Sequence, residues 1–167
     1  LYAPPSLLSN GNWTLLGPTS TVPTNAGGAG RLNCITIDPT NTNILWAGAA
    51  SGGIWKSIDG GITWSTNTDK LAVLGISDIA IDPSNTNIMY AATGDGDAGD
   101  TYSVGVLKSI DGGNTWKITG LNWLITSGKN MNRIIINPDN TNIVFAASDN
   151  GIYRTLDGGD TWVRVLN

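Results

Sequence analysis

The sequence predicts an all-β fold built from repeated four-stranded antiparallel units, and three observations carry that expectation. An eight-residue segment occurs three times among the 167 residues, running from Ser57 to Trp64, from Ser109 to Trp116 and from Thr155 to Trp162. Its shared pattern is S/T-x-D-G-G-x-T-W, with Trp-to-Trp separations of 52 and 46 residues, a period that marks a repeat architecture. Each copy is preceded by short alternating apolar segments separated by turn-forming residues, which read as strands. The composition agrees: Glu and Gln are absent and Thr, Asn and Gly abundant, so strong helix formers are scarce.

The elements follow in order. Residues 1–10 read as an irregular lead-in, and a short strand is expected at 13–16, in the style of the last strand of a unit whose earlier strands are absent. Residues 18–30 form a loop rich in breakers. Three full units follow, at about 31–66, 76–119 and 132–166. Each opens with an alternating strand closed by Asp-Pro or Asn-Pro, ending at Asp38, Asp82 and Asn137, and turns around Asn-Thr-Asn at 41–43, 85–87 and 140–142. The second strands are expected at 44–48, 88–92 and 143–147 and the third at 53–57, 105–109 and 151–155, with the repeated segment leading into the fourth. Four short strands per unit of about 45 residues are the pattern of a β-propeller blade. A closed propeller takes about four to eight blades. Three blades plus one extra N-terminal strand are therefore expected to belong to a larger ring, completed by the remaining blades of the same protein or by another chain.

Within the repeated segment each position has a physical task. The Ser or Thr ends a strand. The Asp accepts hydrogen bonds from its own turn. The Gly pair supplies positive φ, the Thr starts a new strand, and the Trp enters the interior as an apolar wedge. On these residues the segment resembles the Asp-box, or BNR repeat, of sialidases, the sortilin ectodomain and xyloglucan-cleaving glycosidases, all of them β-propellers. The resemblance implies a structural role, away from the binding face, for Ser57, Asp59, Gly61 and Trp64, for Ser109, Asp111, Gly113 and Trp116, and for Thr155, Asp157, Gly159 and Trp162.

Meander topology separates two faces. Turns between the first and second strands, and between the third and fourth, share one near-uniform face. The opposite face collects what varies between units: Ala50-Ser51-Gly52, a long insert from Gly94 to Val104, Asp149-Asn150, and the connectors ending near Arg31, Asp78 and Arg133. Function sits on loops held by a rigid scaffold, so the variable face is the place to look.

The insert carries Asp95, Asp97 and Asp100, hard oxygen ligands at close spacing that suit Ca²⁺, although D-G-D-A-G-D is not the EF-hand pattern. A calcium site, a ligand-binding loop and a plain solvated loop all stay open. Arg31 and Arg133 are connector residues that could grip a carboxylate or phosphate. The sialidase resemblance implies three such arginines and a Tyr/Glu pair, which a chain without Glu lacks. The xyloglucan-cleaving resemblance implies two Asp carboxylates across a cleft, for which Asp78, Asp95, Asp97 and Asp149 are candidates; the matching turn of the first unit has no acid. Tyr102 and Trp123 are candidate sugar-stacking platforms, with packing between blades as the other reading of Trp123.

A net charge of −4 argues against a nucleic-acid or anionic-membrane partner, and no apolar run approaches the ~20 residues of a membrane span. The absence of His excludes a His-based triad or a His zinc site within the chain. The single Cys34 lies in an alternating strand and reads as a buried, inert thiol. Over most of its length the chain also resembles the propeller region of large bacterial surface proteins exported by the type IX secretion system, which implies a secreted or cell-surface location. Two function classes follow: an extracellular binding or scaffold module for glycan or protein, and a part of a xyloglucanase-like glycoside hydrolase using Asp carboxylates.

Overall fold

The structure is a computed structural model that describes residues 30–97 and 101–167. The strand expected at 13–16 and the side chain of Asp100 lie outside the described residues. Three four-stranded antiparallel sheets follow one another along the chain. The first contains β1 (Leu32–Ile37), β2 (Leu45–Ala49), β3 (Ile54–Ser57) and β4 (Ser65–Thr66). The second contains β5 (Ile76–Ile81), β6 (Met89–Thr93), β7 (Gly105–Ser109) and β8 (Lys117–Asn122). The third contains β9 (Met131–Ile136), β10 (Val144–Ser148), β11 (Gly151–Thr155) and β12 (Val163–Leu166), and a one-turn 3-10 helix (Ile125–Ser127) lies between β8 and β9. Every sheet is a simple meander, so these are three blades of a β-propeller.

Side-chain alternation explains how the blades stack. In β6 all five residues are buried because the strand has a neighbour on each face. Met89 and Ala91 join Trp46 and Ile54 of blade 1 in one apolar cluster, while Tyr90 and Ala92 join Ile134, Val144 and Ala146 of blade 3 in another. The inner strands also lie side by side: the Thr36 hydroxyl of β1 donates to the Ile79 carbonyl of β5 at 2.8 Å.

The repeated segments fold alike. In the second, the Ser109 hydroxyl donates to Asp111 Oδ1 at 2.8 Å and accepts the Gly113 N–H at 2.9 Å. Asp111 then accepts the Thr115 N–H at 2.8 Å and its hydroxyl at 2.6 Å. Ser57 with Asp59, and Thr155 with Asp157, repeat this geometry. The Thr63 hydroxyl, with the Thr63 N–H and Ser57, holds the Asp59 carboxyl down at about 2. Asp111 is likewise lowered to about 2, by Thr115 first, and Asp157 is lowered as well, by the Thr155 and Thr161 hydroxyls. Both glycines of each pair have positive φ, from 66° to 102°. The first glycine donates to the neighbouring Asn-Thr-Asn turn of its own blade, as in Gly112 N–H to Asn87 O at 3.0 Å, which puts both turns on one face.

Two local expectations change. The fourth strand begins after the Trp rather than at the Thr, because the Thr N–H and hydroxyl are tied back to the Asp. The Trp side chains are half-buried rather than interior. Trp64 and Trp162 donate their indole N–H to the second glycine's carbonyl, Gly61 O at 3.0 Å and Gly159 O at 3.1 Å, and so brace the turn from outside.

Candidate functional site

The inner strands of the three blades share an irregularity. Pairing skips Asn33 in β1, Ser77 in β5 and Asn132 in β9, so each is the extra residue of a β-bulge. A bulge re-aims the side chain it carries. All three bulge residues line one open pocket of about 310 Å³, together with Gly96 and Asp97 of the insert. Three blades thus contribute one polar side chain each from the same register position.

The insert is laced onto this rim. The Ser77 hydroxyl donates to Gly94 O at 2.9 Å and accepts the Gly96 N–H at 3.1 Å. The Thr101 hydroxyl reaches Ala50 O of blade 1 at 2.9 Å, and the Ser103 N–H reaches Lys129 O of the connector to blade 3 at 2.9 Å. Gly96 is required here for its missing side chain. A Cβ would sit 2.1 Å from Asn132 Oδ1 and 2.9 Å from Met131 O, so any larger residue would lift the insert off β9.

Three of the acidic candidates are ion-paired with the two connector arginines. Asp95 is fully buried; its carboxylate is ion-paired with Arg31 and accepts from Asn33 Nδ2 at 3.2 Å. A second arm of Arg31 reaches Asp97, which is largely exposed, at 2.8 Å. The guanidinium therefore lies across the two carboxylates that the sequence offers to Ca²⁺, while Asp100 is outside the described residues. Asp78 is buried, accepts the Ile134 N–H at 3.0 Å and lies 3.3 Å from Arg133 Nε, joining β5 to β9. Asp149 accepts the Asn130 N–H at 3.0 Å and ties the β10–β11 turn to the preceding connector.

Of the two aromatic candidates, Tyr102 is exposed on the insert. Trp123 packs against the cluster between blades 2 and 3, with the Tyr153 ring 6.1 Å away and the Lys129 ammonium 5.1 Å from its ring centre. Burial, together with the nearby Asp78 charge, pushes the Cys34 thiol up to about 11, so it stays protonated at neutral pH.

A larger groove, about 590 Å³, runs between blades 2 and 3 past Lys108, Thr115 and Asp160 on the uniform face. A smaller one, about 120 Å³, recurs at the corresponding place between blades 1 and 2, so this groove is a product of blade stacking. The rim pocket instead draws one bulge residue from each of the three blades. Sequence reasoning missed Asn33, Ser77 and Asn132, although a signal was present. Each is the polar residue at the second position of its inner strand, immediately ahead of Cys34, Asp78 or Arg133.

No known family pattern matches the chain. Over 54 residues, 32% of the chain, it is 43% identical to a xyloglucanase of Hypocrea jecorina (strain QM6a), a stretch that spans 6% of that protein. Among solved structures it is similar to an ancestral GH74 enzyme, with a TM-score of 0.69 and 25% identity over 81% of this chain and 18% of that one. It is also similar to YCF48 bound to D1 peptide, with a TM-score of 0.60 over 87% of this chain and 41% of that one; at 18% identity this likeness concerns the fold alone. The chain thus spans less than half of either solved chain, and covers part of a larger propeller.

Proposed function

We propose that this chain is the ligand-binding part of a larger, secreted or cell-surface β-propeller of the Asp-box type, and that it takes a hydroxyl-rich ligand, an oligosaccharide segment, at the inner rim of its blades. The observation that carries this reading is the convergence of Asn33, Ser77 and Asn132 with Asp97 on one pocket. Amides and hydroxyls both donate and accept, and a carboxylate accepts, which is the set of groups that reads sugar hydroxyls. The scaffold is preorganised, because Asn33 and Ser77 are already held by the insert. The Asp-box reading rests on the hydrogen bonding of the three S/T-x-D-G-G-x-T-W turns, and the larger ring on the fraction of its relatives that the chain spans.

A second reading, a catalytic portion of a glycoside hydrolase, is favoured by the likeness to the xyloglucanase and the GH74 enzyme. Glycoside hydrolysis by the usual route takes two carboxyl groups flanking the scissile bond. Among the described residues lining the pocket, Asp97 is the one carboxylate, and Arg31 holds it. Binding is therefore the better fit. Isothermal titration of the chain with xyloglucan oligosaccharides tests both readings. Binding that is lost in Asn33→Ala and Asn132→Ala, without release of reducing ends, supports the module. Release of reducing ends that vanishes in Asp97→Asn would move the assignment to the hydrolase, and binding indifferent to the Asn variants would remove the pocket from the account.

A further inference from the structure

The two blade-to-blade junctions are closed by the same three-part clasp. A row of cross-strand neighbours on one face of each blade points at the next blade. In blade 1, Trp46 pairs with Lys56; in blade 2, Tyr90 pairs with Lys108. The lysine ammonium lies over the aromatic ring, 4.5 Å from the Trp46 centroid and 5.4 Å from that of Tyr90. From there it donates to the first glycine carbonyl of the next blade's Asp-Gly-Gly turn, Lys56 to Gly112 O at 3.3 Å and Lys108 to Gly158 O at 2.6 Å. The Tyr90 hydroxyl joins it on Gly158 O at 2.8 Å. The second glycine then lies against the ring: a Cβ on Gly113 would be 2.3 Å from Trp46, and one on Gly159 would be 3.4 Å from Tyr90.

Blade 3 carries the same half of the clasp, with no Asp-Gly-Gly turn lying on it among the described residues. Phe145 pairs with Arg154 at the corresponding register position, and the row continues to Ile135 and Val163. Those two side chains are 54% and 62% exposed, although apolar. Arg154 Nε is buried and has no hydrogen-bond partner among the described residues, a costly state for a cationic donor. We propose that this face of blade 3 is a docking surface for one occupant, a following blade of the same ring that presents an Asp-Gly-Gly turn. Its first glycine carbonyl accepts from Arg154 and its second glycine lies on the Phe145 ring. This rests on the reading of the chain as part of a larger propeller and adds which residues recognise the next blade.

A copy of residues 123–167, which supply the connector and strands of blade 3, is appended after Asn167 of the full chain as the probe. Limited proteolysis then reads whether the added blade docks. The expected result is a protected added blade that Arg154→Ala or Phe145→Ala makes cleavable faster by about tenfold or more, the scale of one lost hydrogen bond to a charged group. Arg154→Lys is expected to retain protection, since lysine fills this position in blades 1 and 2. The melting temperature of Arg154→Ala is measured in the unextended chain as well, and only a loss of protection beyond the change seen there counts as lost docking, which separates docking from general destabilisation. Protection indifferent to both alanine variants would overturn the clasp and leave the larger ring standing. Cleavage of the added blade at the rate of an unfolded tail would also overturn it, while the ring itself is tested separately by the mass of the native polypeptide.

Discussion

Replacing Gly113 by alanine and, separately, Gly112 by alanine isolates the contribution of blade packing from that of turn conformation. Both residues have left-handed backbones, with φ of +66° at Gly112 and +77° at Gly113. A side chain in that region costs about 1–2 kcal/mol whatever surrounds it. The surroundings differ. At Gly112 the nearest atom to a new Cβ is Asn87 Oδ1 at 3.4 Å, whereas at Gly113 it is Trp46 Cη2 at 2.3 Å. Trp46 is 4% exposed and covered by Lys56, so the ring has little room to retreat. Overpacking of this kind adds about 1–3 kcal/mol. Gly112→Ala is therefore expected to lose about 1–2 kcal/mol and Gly113→Ala about 2–5 kcal/mol. For a chain of this size the extra loss lowers the melting midpoint by roughly 2–12 °C relative to Gly112→Ala. Thermal unfolding followed by tryptophan fluorescence and far-ultraviolet circular dichroism measures it. Adding Trp46→Leu should recover part of the loss in Gly113→Ala and none in Gly112→Ala. Equal midpoints for the two glycine variants, or no recovery, would refute the claim that the second glycine is a packing device between blades.

Ser109→Ala is expected to cost about 1–3 kcal/mol in urea unfolding, because it leaves the buried Gly113 N–H without its acceptor; Ser109→Thr should be tolerated, since Thr155 fills the same role in blade 3. The pH dependence follows from the turn carboxylates. Asp59 and Asp111 have folded values near 2 against 3.8 for an unperturbed group, so the unfolded chain binds protons first as pH falls. Their contribution is complete above the unperturbed value and is lost as pH drops from about 4 through about 2. The urea midpoint of Asp111→Asn should change less than that of wild type across that window; parallel curves would contradict the assignment. Millimolar Ca²⁺ is expected to leave the melting temperature unchanged, because Arg31 already engages Asp95 and Asp97. A rise that disappears in Asp95→Asn would support the calcium reading of the insert.

The repeat made the blades legible. Turn chemistry at Asn-Thr-Asn and Asp-Gly-Gly bounds each strand locally. The start of the fourth strand was misplaced because a Thr adjacent to an Asp-Gly-Gly turn can serve either the strand or the turn, and here the Asp carboxylate claims it. The site was less legible. That the variable loops gather near Arg31 and the insert follows from meander topology. The Arg31–Asp95 pair, however, joins residues 64 apart, and no periodicity encodes which cation an acidic loop meets. Asn33, Ser77 and Asn132 escaped because a bulge breaks the alternation from which strand faces are read, and because a polar residue in an inner strand looks like a packing compromise until three of them reach one pocket.

The central claim is that ligand is held at the rim pocket of the bulge residues, and side-chain amide resonances test it most directly. In a ¹⁵N-labelled chain titrated with a xyloglucan oligosaccharide, the Asn33 and Asn132 side-chain NH₂ signals and the Gly96 and Asp97 backbone amides are expected to shift together along one saturable curve. The amides of Gly60, Gly112 and Gly158, on the opposite face, should stay in place. Shifts confined to that opposite face, with the Asn33 and Asn132 side chains unmoved at saturation, would contradict the account.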